Sequence, residues 1–110
     1  MTRFYVRDEE QHDALIEAVN ATLRSWLNGE YTIEQQEEAD RITSLCGYFK
    51  DKFSVYPRPV FWELTEGEVD MVKWILDSYL EETKVPLFGK KFKAIKALVR
   101  EVKCNFAKAA

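Results

Sequence analysis

Four times along this chain the apolar residues recur at steps of three and four, and each run is cut off by residues that cannot continue a helix. Ile16, Val19, Leu23 and Trp26, flanked by Leu15 and Leu27, make the first stripe, which Asn28-Gly29 ends. Ile42, Leu45, Phe49 and Phe53 make the second, and Val69, Val72, Ile75, Leu76, Tyr79 and Leu80 the third. The fourth is Phe92, Ile95, Val99, Val102 and Phe106 with Leu98 beside them, on a helix expected from near Lys90 to Phe106. A helix with one apolar face must bury that face against a neighbour, so the chain is expected to be mainly α, a four-helix single domain over residues 1–110.

The starts and stops are written locally. Asp8 suits a first cap, with Glu9 and Glu10 following where the helix dipole favours acids. Thr32 suits a second, and Thr65-Glu66-Gly67-Glu68 fits a capping box. Gly47 is expected to interrupt the second helix, either as a close-contact point or as a weak spot. Val55-Tyr56-Pro57-Arg58-Pro59 and Lys84 to Gly89 are connectors, because proline removes an amide donor and forces extended backbone before it. Phe4-Tyr5-Val6 and Val60 to Leu64 read as short strands. Phe4 to Val19 and Phe61 to Leu76 then share one layout of strand, cap, acidic turn and helix, with Asp13 matching Asp70. This suggests two β-α-α units sharing a two-stranded ribbon, the alternative being a plain helical bundle.

Charge divides the chain. Residues 1–83, the acidic body, hold 18 Asp and Glu against 8 Lys and Arg, a net −10. Residues 84–110, the basic C-terminal helix, hold 8 Lys and Arg against one acid, Glu101, a net +7. Either the halves attract each other within the fold or each presents a charged surface to a partner. The first residues show no apolar leader, and no stretch approaches the roughly 18 apolar residues of a membrane span, so a cytoplasmic location without membrane contact is expected. Cys46 and Cys104 are far apart and outside any Cys-x-x-Cys pair; they read as two small buried apolar groups.

Four surfaces carry potential for recognition. The acids Glu10, Asp13 and Glu17 line one face of the first helix, and Glu30, Glu34, Glu37, Glu38 and Asp40 surround the second. Glu63, Glu66, Glu68 and Asp70 crowd the start of the third. Such an array either solubilises, or imitates a phosphate backbone or docks on a basic protein, as in a viral-type inhibitor of a nucleic-acid-handling protein. Trp74 lies about 100 to 160° from Val72, Ile75 and Tyr79, on the same side as Met71 and amid Asp70, Asp77 and Glu81, the composition of an interface hot spot unless another segment covers it. On the fourth helix Lys93, Lys96, Arg100 and Lys103 form a row of cations, with Lys90 and Lys91 before it; a nucleic acid is the alternative partner there. The proline-flanked Tyr56 to Trp62 segment roofs the core or offers itself to a partner.

Catalytic apparatus is not apparent. His12, the one histidine, sits among Glu10, Gln11 and Asp13 and reads as a surface group rather than a base. Clustered metal ligands, a Ca²⁺ loop and a phosphate loop are missing, since Gly89-Lys90-Lys91 lacks the earlier glycine. The expectation is therefore a non-catalytic regulator or inhibitor without cofactor or metal. It would bind another protein through Glu10, Asp13, Glu17, Glu34, Glu37, Glu38, Asp70, Met71 and Trp74. Nucleic-acid binding is the first alternative, and an architectural homodimer through the Trp74 face the second.

Overall fold

The computed structural model describes residues 1–55, 61–82 and 89–108. The connectors at Tyr56 to Pro59 and Lys84 to Phe88 lie outside them, as do the side chains of Lys90, Lys91 and Phe92. The described chain is mainly helical: β1 (Thr2–Tyr5), α1 (Glu9–Leu27), α2 (Ile33–Lys52), β2 (Phe61–Leu64), α3 (Glu66–Glu82), α4 (Gly89–Lys103) and β3 (Phe106–Lys108).

The starts of α1, α2 and α3 are each set by a side chain that satisfies an orphan amide. The Asp8 carboxylate accepts from the Gln11 N–H at 2.8 Å. Thr32 and Gln35 form a reciprocal box, the Thr32 hydroxyl accepting from the Gln35 N–H and the Gln35 side chain from the Thr32 N–H. Thr65 and Glu68 repeat it at α3, at 3.2 and 3.0 Å. Between α1 and α2, the Tyr31 hydroxyl donates to the Trp26 carbonyl at 2.7 Å and its ring stacks on Trp26. Tyr31 approaches Gly29 so closely that a Cβ at position 29 would meet the phenol and oblige it to shift.

Helix α1 is the central element. It packs on α2, α3 and α4, and its buried face is wider than the stripe in the sequence, taking in Ala14, Leu15, Ala18, Val19 and Thr22. Alanines at 14 and 18 let neighbouring helices approach closely. Val72, Ile75, Leu76 and Tyr79 of α3, Ile42, Cys46 and Phe49 of α2, and Val99 and Val102 of α4 complete one buried cluster.

At one end lies an antiparallel sheet of order β2-β1-β3. Thr2 to Tyr5 pair with Leu64 to Phe61, and Thr2 to Phe4 with Lys108 to Phe106. The expected ribbon of β1 with β2 is present, but a third strand joins it. Helix α4 ends at Lys103 rather than Phe106, and Cys104 and Asn105 close its last turn on Glu101 and Val102. Released from the helix, Phe106 pairs with Phe4 and stacks on its ring at 4.4 Å, so it fills the core from a strand. Phe4 also meets Phe53 edge-on at 5.9 Å and Trp62 at 6.2 Å.

Three further expectations are corrected. Helix α2 runs unbroken through Gly47, beside which there is open space, so this glycine is a weak spot and not a close contact. His12 is half-buried, and its Nε2 lies 2.6 Å from the Phe53 carbonyl at the end of α2, to which it donates. Cys104, just past the core-facing Val102, is exposed; Cys46 is buried, which pushes its thiol up to about 11.

Two outcomes are expected from denaturant unfolding. Phe4→Ala should lose roughly 3 to 5 kcal/mol, since it empties a site with rings on several sides. Gly47→Ala should gain up to about 1 kcal/mol, as nothing obstructs the new methyl group and helix propensity improves; a loss would mean that the glycine serves a packing role.

Candidate functional site

Helices α2 and α3 both lean on α1 and scarcely on each other. Between them opens a groove of about 630 Å³. Leu45, Tyr48 and Phe49 of α2 and Met71 and Trp74 of α3 give it an apolar lining; Arg41, Thr65, Gly67, Glu68 and Asp70 supply the rest. Tyr48 remains 48% exposed and Trp74 36%. Trp74 is steadied from below by Trp26, with ring centroids 5.9 Å apart.

Polar contacts close one end. The Tyr48 hydroxyl donates to Glu68 at 2.9 Å, and Lys52 reaches the same carboxylate at 3.4 Å. Burial works against ionisation of Glu68, but the Thr65 amide, the Tyr48 hydroxyl and Lys52 outweigh it and hold its carboxyl below the usual carboxylate range. Further along α2, Arg41 forks onto Glu38 at 2.6 and 3.2 Å, and that hydrogen bond lowers the Glu38 carboxyl. At about 100° per residue, Glu34, Glu37, Glu38, Arg41, Leu45 and Tyr48 fall within one arc of roughly 100°, so the acids extend the α2 wall of the groove.

The residues expected to form one acidic surface are thus divided. Glu34, Glu37 and Glu38 share a face of α2 with the groove lining, and Asp70, Met71 and Trp74 line the facing wall. Glu10, Asp13 and Glu17 instead border a separate depression of about 350 Å³ with Ile95 and Leu98 of α4. On α4, Lys93 and Arg100 are exposed, Lys96 and Lys103 half-buried, and Lys103 pairs with Asp77 of α3. Lys90 and Lys91 belong to the helix, their side chains lying outside the described residues. Of the connector aromatics, Trp62 is half-buried over Phe53 at 4.6 Å and roofs the core.

Leu45, Tyr48 and Arg41 are groove residues that the sequence did not single out. Leu45 belongs to the second apolar stripe, and no local signal tells that the core covers Ile42, Cys46 and Phe49 but leaves Leu45 at the edge. Among the described residues, no group of three or more His, Cys, Asp or Glu is placed to hold a metal ion. No helix among them is long and apolar enough to cross a membrane. No protein-family model, no curated protein and no solved structure matches the chain.

The Glu68 cluster sets a pH dependence of stability. A carboxyl depressed in the folded state stabilises above its unfolded value, about 4.3, and that contribution is lost as pH falls through the lower folded value. Glu68→Gln should therefore melt below the parent at pH 7, and the difference should shrink as pH drops below about 4; a difference constant with pH would deny the carboxylate this role.

Proposed function

We propose that this chain is a non-catalytic regulator or inhibitor of the cytoplasm that docks on a partner protein, with the α2/α3 groove as its contact surface. The observation that carries the reading is the pairing of Tyr48 and Trp74, two large aromatics left open to solvent over an apolar floor and edged by carboxylates. Exposed aromatic and methionine surface ringed by polar groups is the composition of binding hot spots, where few residues supply most of the affinity. The acidic edge would favour a basic partner surface, of the kind that nucleic-acid-handling proteins present, by speeding encounter and excluding acidic competitors.

The strand-helix-helix order of both halves supports reading them as two copies of one unit in a four-helix domain. The groove then lies where the second helix of one copy meets the first helix of the next.

The test is a pull-down from a lysate of the native host with the tagged chain and its Trp74→Ala variant, each checked for native circular dichroism, with and without nuclease. A protein retained after nuclease by the parent and lost from the variant is the expected result. Capture that vanishes with nuclease would overturn it in favour of nucleic-acid binding by Lys93 and Arg100. A dimer mass by light scattering, abolished by Trp74→Ala, would show the groove to be a homodimer contact.

A further inference from the structure

Resting on that docking reading, we infer that the occupant of the groove is an amphipathic α-helix of a partner protein, its apolar face flanked by lysine or arginine. The walls favour a helix over an added β-strand. Helices α2 and α3 bond their own backbones internally, so the groove offers side chains and no free ladder of amides and carbonyls. A strand laid there would leave its backbone unpaired, whereas a helix brings its own hydrogen bonds. The length agrees. The lined part of α2, Arg41 to Phe49, is about 12 Å long at 1.5 Å per residue, and with Glu34, Glu37 and Glu38 on the same arc the wall from Glu34 to Tyr48 runs about 21 Å, four turns of a partner helix.

Charge decides the sign of that helix. Along the two walls stand five carboxylates, Glu34, Glu37, Glu38, Glu68 and Asp70, against two cations, Arg41 and Lys52, a surplus of three negative charges. Both cations are already engaged, Arg41 by Glu38 and Lys52 by Glu68. The carboxylates of Glu34, Glu37 and Asp70 have no hydrogen-bond or ion-pair partner among the described residues. A helix with flanking lysines would meet these three; one with flanking glutamates would be repelled by them.

A second copy of this chain does not fit the description as well. Its own basic amphipathic helix, α4, already spends its apolar face on α1 and α3 through Val99 and Val102, which are fully buried. The occupant is therefore a helix of another chain.

The test uses the full chain and three labelled peptides of about 16 residues, roughly four turns: an amphipathic Leu/Lys helix, a shuffled peptide of the same composition, and an amphipathic Leu/Glu helix. By fluorescence anisotropy at low salt, the Leu/Lys helix should bind at least tenfold tighter than either control. Amide shifts should fall on Arg41 to Tyr48 and Gly67 to Trp74. Trp74→Ala should weaken binding at least tenfold, with Met71→Lys as a second variant should the first lose its native circular dichroism. The double variant Glu34→Lys/Glu37→Lys should weaken it and flatten its salt dependence. Equal binding of the shuffled peptide, shifts centred elsewhere, indifference to the charge reversals, or no binding of the Leu/Lys helix at 100 μM peptide (about 10⁻⁴ M) would each overturn the inference. If the lysate partner remains Trp74-dependent while no helical peptide binds, the occupant is wrong and docking stands. If Trp74→Ala changes neither, both readings fall.

Discussion

The ring of Phe4 is where the separate layers of this protein are joined. It belongs to the middle strand, is fully buried, and touches Phe106 of β3, Trp62 next to it on β2 and Phe53 at the end of α2. The neighbourhood is tied by polar contacts as well. The Tyr5 amide donates to the Asn105 carbonyl, and the buried Gln11 side chain accepts from both the Arg7 amide and the Asn105 side chain. His12 adds its bond to the Phe53 carbonyl. The start of α1, the end of α2 and the segment after α4 are thus held at one point, and a short sheet that would be marginal alone gains its stability from the helices beneath it.

That junction also places the groove. Phe53 fixes the C-terminal end of α2, while β2 leads through Leu64 directly into the Thr65 cap of α3. The two helices consequently start their divergence from a common anchor, and Tyr48 and Glu68 bridge them just beyond it. Further out, among the described residues, α1 lies between them, and Trp26 at its C-terminal end supports Trp74. A wall residue such as Leu45 is kept from burial by this spacing and not by its own character. The central helix meanwhile tolerates one blemish: the Thr22 hydroxyl is buried without a partner among the described residues.

What the sequence disclosed and what it withheld separate along the range of the interactions. The caps at Asp8, Thr32 and Thr65 and the four stripes depend on neighbours three or four residues away, and they are legible without any fold. The pairing of β1 with β2 was legible only through the likeness of two local patterns. Phe106 was not, because at helical spacing after Val99 and Val102 it reads as one more core position; its strand exists only because β1 has a second free edge. His12 likewise reads as a surface group until Phe53, far along the chain, brings its carbonyl to the ring. That Leu45 and Tyr48 share one groove with Asp70, Met71 and Trp74 depends on α2 and α3 standing apart, a consequence of α1 packing that periodicity cannot express.

The division of charge in the sequence acquires a spatial meaning from the same arrangement. The basic α4 packs on α1 and α3, where Lys103 meets Asp77 and where Glu10, Asp13 and Glu17 border its apolar residues. Compensation between the halves is therefore concentrated on that side of the central helix. Among the described residues the acids of α2 pair with no cation of α4, and within the groove Arg41 and Lys52 are matched one for one by Glu38 and Glu68. At physiological salt the field of α4 is screened over about 8 Å, so charges held on another face of α1 do little to relieve it. Among the described residues, apolar surface and carboxylates without a paired cation thus coincide in the α2/α3 groove, and the proposed basic partner would act on both at once.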